Sequence, residues 1–278
     1  MTRDRSLRAV AVRHPVSTLC VVAIGVSVPL LVALLVAGLD VMPGKLVELV
    51  LLTALAVVIT AWIGGRAAVR RLLAGLTRWR IGVSGWLVVL AAMPALTLAV
   101  ALVTGTLTPP PSGWAEVAGS WLLIFVFVLL TASVWEETAW AGFVQTRLMA
   151  RHGLLRGSLL TAVPFCVIHL PLAFEGAGWA GTSWRDAAIN WAWLLAALPF
   201  FRYLAGILLV DTGGSVLAVA VLHASFNASG SLSVLLPYGW QYVPAMILLT
   251  VIVAGLRALR QRGARPPASD ERRPALLS

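Results

Sequence analysis

Glu136, Glu137, His169, Arg202, His223 and Asn227 are ionisable or amide-bearing side chains set in strongly apolar stretches of this 278-residue chain. Inside hydrocarbon such groups are costly, so each is by default a functional residue. Spacing then groups them. His223 and Asn227 stand four apart in VLHASFN, and Phe165 and His169 stand four apart in PFCVIHLP. Residues four apart share a helix face. Three helices can therefore turn polar faces on one cavity, which avoids leaving several polar groups unsatisfied in lipid. A carboxylate, two imidazoles and a carboxamide are what water-dependent amide cleavage needs. A Glu beside a His can hold and deprotonate a water, while a second His with an Asn donates hydrogen bonds to the oxyanion. Glu136, His169 and His223 are equally able to ligate zinc and leave one position for water. The residues alone leave zinc and a metal-free mechanism both open.

The elements that must position these groups are membrane helices. Of the residues, 60% are hydrophobic and 12% charged, against about 45–50% and about 25% in soluble domains. Apolar runs predict spans over residues 17–39, 46–64, 84–104, 118–143, 155–172, 188–210, 214–232 and 237–256, an all-α polytopic bundle of about eight helices. Arginine makes up 20 of the 21 basic residues, and 18 of the 21 lie in connections and ends that fall on one side if eight helices alternate. The positive-inside rule then places both termini in the cytoplasm. This is a topology signal and not a nucleic-acid patch, so the partner it implies is the lipid bilayer. The chain divides into a cytoplasmic segment (1–16), the transmembrane domain (17–256) and a polar, Pro-containing, disordered cytoplasmic tail (257–278). Cys20 and Cys166 both lie in apolar stretches and support neither a disulfide framework nor a paired-cysteine zinc site. Gly213-Gly214 predicts a tight turn into the seventh span.

Taken together, the Glu136-Glu137 pair, Phe165 to His169 and His223 to Asn227, in that order on separate helices, resemble the CPBP family of intramembrane proteases, which includes the type II CAAX prenyl endopeptidases. The flanks are similar as well: WEETAWAGF resembles the family's EExxWRGF, and the resemblance covers about residues 118–230. It implies an endopeptidase acting on a membrane-associated peptide or protein. Glu136 and His169 would activate water, His223 and Asn227 would polarise the carbonyl, and Glu137 and Phe165 would support the site. Ala141 stands where the family carries an arginine. Its absence leans toward a non-enzymatic relative, such as a bacteriocin self-immunity or scaffolding protein. A proton-coupled transporter is a third reading, since buried Glu and His also build proton relays.

Two expectations concern geometry. Arg202, the one basic residue well inside a predicted span (Arg156 stands at the very start of 155–172), either pairs with Glu137 in place of the missing arginine or snorkels to the cytoplasmic interface. The spans as drawn put Glu136 nearer the cytoplasm and His169 nearer the outside. Convergence therefore requires span four to continue as a helix toward Met149, or span five to kink at Pro164.

Overall fold

In hydrocarbon a single segment can satisfy all its backbone hydrogen bonds only as a helix. The computed structural model describes residues 2–111, 113–232, 234–235 and 240–263, and these are overwhelmingly helical. Among them the β contacts reduce to an isolated bridge between Leu107 and Leu235.

The first helices are α1 (Thr2–Arg13), α2 (Pro15–Val36) and α3 (Met42–Leu73), the last two forming a hairpin. α3 breaks at Gly64 and Gly65, where Gly65 takes φ +61. The apolar part of the helix ends there, as the expected 46–64 span does, and Arg66, Arg70 and Arg71 lie beyond the break. α4 (Gly82–Leu90) and α5 (Ala92–Val103) meet at a 47° bend. Pro94 explains the bend, because its ring excludes the carbonyl four residues back, at Leu90, from a continuous helix.

Next comes a long run from Trp114 to His152. It comprises α6 (Trp114–Val128), a π-helical turn (Leu129–Ser133), the short α7 (Val134–Ala139) carrying both glutamates, a second π-helical turn (Trp140–Gln145) and α8 (Thr146–His152). Gly153, at φ +77, reverses the chain into α9 (Leu154–His169) and a 3-10 turn over Leu170–Phe174. The rest is α10 (Gly178–Gly181), α11 (Trp184–Asp211), α12 (Val216–Gly230) and α13 (Tyr242–Gly263).

All eight predicted spans fall on helices over their described residues. By length and composition six helices among the described residues are able to cross, or seven with α4 and α5 taken as one span. α12 has 15 residues, about 22 Å of helix, yet it returns the chain across the bundle, because α11 and α13 run in the same direction, with Phe200 beside Thr250 and Asp211 beside Arg257. It lies at the centre of the bundle, with 12 of its 15 residues buried. A helix apolar all round belongs in such a position. Lipid-facing residues elsewhere are large and apolar, among them Val21, Val50, Leu123 and Val251.

Gly213 (φ +65) and Gly214 (φ +94) form the predicted turn into α12. The turn is pinned to the α3–α4 connection, where Arg78 donates to the Gly213 carbonyl and Ser215 Oγ donates to Arg78 O at 2.6 Å. At the C-terminal end α13 runs through Gly263, so residues 257–263 are helical and not part of a disordered tail. The rest of that expected tail, 264–278, lies outside the described residues.

Candidate active site

The depth problem resolves through the length of the fourth helical run. It continues through α8 to His152, beyond the predicted end at 143. Glu137 then lies 16 residues before Gly153 and His169 lies 16 residues after it. At 1.5 Å per residue, each is roughly 24 Å from the turn, so the antiparallel hairpin brings them to one level. No kink at Pro164 is required, and α9 is helical across it.

At that level Glu137 is fully buried and bound on two sides. Arg202 reaches from α11, donating from Nη1 to Oε2 at 2.9 Å and from Nη2 to Oε1 at 2.5 Å. His223 Nδ1 on α12 lies 2.8 Å from the same Oε1. The paired fork geometry is the strong form of a charge-assisted bond. Both partners of the ion pair have side-chain exposure of 0%, so Arg202 does not snorkel. The guanidinium that holds Glu137 therefore comes from α11, while position 141 on the glutamate's own helical run is Ala.

Three further side chains fix the arginine. Phe165 lies 3.8 Å and Phe201 lies 4.7 Å from its guanidinium carbon, which places aromatic faces against the delocalised cation. Gln145, from the π-helical turn, donates to Arg202 O at 2.6 Å and to Ser158 Oγ at 3.1 Å, joining three helices. A π turn shifts the facing of the residues after it, and such turns recur at functional sites. Phe165 thus has a definable job: its ring contacts Arg202, His169 at 4.4 Å and His223 at 6.1 Å.

The remaining groups stay available. Glu136 Oε2 is buried with no hydrogen-bond partner among the described residues and lies 3.9 Å from His223 Nδ1. His169 Nδ1 lies 2.7 Å from the Phe165 carbonyl. A carbonyl only accepts, so that nitrogen carries the proton and Nε2 presents a lone pair. His223 is oriented in the same way by Glu137. The site therefore holds one carboxylate locked in an ion pair, one unpaired carboxylate and two imidazoles held in orientation through Nδ1.

Asn227 is not drawn into this network. Among the described residues its side chain makes no hydrogen bond, and it is exposed, one turn beyond His223. The expected zinc set also lacks support from the geometry: among the described residues no three of His, Cys, Asp or Glu are gathered so as to hold a metal ion.

Sequence reasoning missed two contributors, Gln145 and Phe201, which carry no signal beyond lying near Glu137 and Arg202. It also passed over Glu48, a carboxylate inside the predicted 46–64 span that is buried in α3.

Buried Glu, His and Arg groups converging from α7, α9, α11 and α12 define an integral membrane bundle with a polar site of hydrolytic composition. Residues 118–229, which carry every one of these groups, match the family model described as type II CAAX prenyl endopeptidase Rce1-like. Over that segment the chain is similar to the CPBP family. No curated protein matches the chain significantly.

Proposed function

We propose that this protein is an intramembrane endopeptidase that cleaves a membrane-associated peptide or protein with water activated by Glu136 and His169. The observation that carries the reading is the unequal fate of two adjacent glutamates. Glu137 is consumed by Arg202 and His223, while Glu136 keeps a free, buried oxygen 3.9 Å from the His223 imidazole.

In this reading Glu136 takes a proton from a water whose other hydrogen is directed to His169 Nε2. The resulting hydroxide adds to the scissile carbonyl carbon. His223, doubly protonated, donates from Nε2 to the oxyanion, and Glu137 supports its charge through Nδ1. The C–N bond breaks as Glu136 returns its proton to the amine nitrogen. Asn227, at the exposed edge of the same helix face, is placed to meet substrate rather than the buried water. Arg202 removes the reason that Ala141 gave for a non-enzymatic role.

The test is to incubate the purified protein in bilayers with membrane-anchored peptides, prenylated and not, and to identify new termini by mass spectrometry. Cleavage in the wild type that Glu136→Ala abolishes is expected. Absence of cleavage across the set, with folded protein, contradicts the reading. Zinc measured in the same samples at well below one ion per chain is expected from the donor geometry, and stoichiometric zinc contradicts that part.

We place the protein in the cell membrane with both termini cytoplasmic, from the loop arginines. A reporter fused after Ser278 should be active only in the cytoplasm; activity on the outer side overturns the topology.

A further inference from the structure

α1 packs on α2 and α3 at the arginine-bearing end of the bundle, with Ala11 in the buried core at 2% exposure. Between α1 and α3 runs an open groove of about 490 Å³, lined by Arg8, Ala9, Val12, Arg13 and Trp62. At about 100° per residue the four α1 positions form one stripe roughly 140° wide, with Ala9 and Val12 in the middle and the arginines at its two edges. The groove thus has an apolar floor, an arginine at each rim and an indole on the α3 side. No carboxylate lines it, and among the described residues neither arginine side chain has a hydrogen bond or an ion pair.

Trp62 sets the depth of the groove. It stands two residues before the Gly64-Gly65 break, where the apolar part of α3 ends and Arg66, Arg70 and Arg71 begin. That is the boundary between hydrocarbon and headgroups, the level at which tryptophan concentrates. Outside the groove's stripe α1 exposes Leu7 at 66% and Val10 at 53%. Large apolar side chains beside arginines mark a helix that lies in the interface rather than in water.

The positive-inside rule accounts for arginines at this end of the bundle, but it counts charges and is indifferent to their arrangement. Two unpaired arginines bordering an apolar strip match a ligand that is anionic at one point and apolar beside it. A soluble anion would leave Ala9, Val12 and Trp62 without a contact. A phospholipid uses every wall, its phosphate on the guanidiniums and its glycerol and upper acyl chain along the strip.

We propose that this groove binds an anionic phospholipid of the adjoining leaflet, with Arg8 and Arg13 on its phosphate and Trp62 beside its glycerol backbone. The inference is independent of the endopeptidase reading, and its test needs no cleavage.

The test is native mass spectrometry of the full chain, released from neutral detergent after equilibration with dioleoylphosphatidylglycerol or dioleoylphosphatidylcholine. Wild-type protein should bind its first phosphatidylglycerol more tightly than its first phosphatidylcholine. Arg8→Gln with Arg13→Gln should weaken that first phosphatidylglycerol about 30-fold, the scale of two arginines at a charged membrane surface, and leave phosphatidylcholine unchanged. Arg260→Gln with Arg262→Gln removes the same charge from the last turn of α13 and should leave both unchanged. All four positions are exposed, so the variants keep the fold. Inorganic phosphate should not compete. No preference in the wild type, wild-type affinity in the Arg8→Gln, Arg13→Gln protein, an equal loss in the α13 control, or displacement by inorganic phosphate overturns the proposal.

Discussion

Arg202→Ala is expected to lose both stability and activity. Its guanidinium is the counterion of a fully buried carboxylate. Removing one partner of such a pair strands the other, at a cost of about 3–5 kcal/mol. The consequence spreads to catalysis, because Glu137 also orients His223. Freed from Arg202, Glu137 either takes up a proton or swings, and in both cases His223 loses its fixed partner. Cleavage should fall by about 1,000-fold or more, the scale of losing a preorganised oxyanion donor.

The double variant Arg202→Ala with Ala141→Arg is the sharper measurement. Position 141 comes one helical turn after Glu137, the acidic-first spacing that favours a pair. Ala141 is fully buried, so an added arginine needs the space that Arg202 vacates. The double variant should recover much of the lost thermal stability and cleavage, while Ala141→Arg alone should be destabilised by overpacking and a second buried cation. A double variant no better than Arg202→Ala refutes the exchange of arginines between helices.

The pairing of Arg202 with Glu137 was legible in the sequence because hydrocarbon leaves few ways to satisfy a charge. Span four contributes two carboxylates, one of them short of its family partner, and span six contributes one cation. The helices were legible for the same reason, since long apolar runs have only one hydrogen-bonded form in lipid. Hydropathy could not reveal the π-helical turns at Leu129–Ser133 and Trp140–Gln145, which leave composition unchanged while rotating the next stretch of helix about its axis. It also could not show that the run from Trp114 reaches His152, because Arg147 and Arg151 read as loop residues. Arg147 is held in the helix by its bond to the Phe143 carbonyl at 3.0 Å and by that residue's ring. α12 reads as a crossing because it is apolar, and it does return the chain between the parallel α11 and α13, although its 15 residues are fewer than a full-length span. For Asn227, equal facing on a helix fixes direction but not depth, and one turn takes it from the buried network to an exposed edge.

The central claim is a division of labour between neighbours, with Glu136 doing chemistry and Glu137 holding the site together. It predicts opposite phenotypes from equal substitutions one residue apart. Glu136→Gln removes a carboxylate whose Oε2 makes no hydrogen bond among the described residues, so the thermal midpoint should stay near that of the wild type. Glu137→Gln removes the charge that balances Arg202, and the midpoint should fall with the activity. The most direct measurement is the single-turnover cleavage rate of Glu136→Gln in bilayers, taken beside its unfolding curve. The account predicts a loss of about 1,000-fold or more with an unchanged unfolding midpoint. Cleavage at a rate near that of the wild type would remove Glu136 as the base and contradict the account.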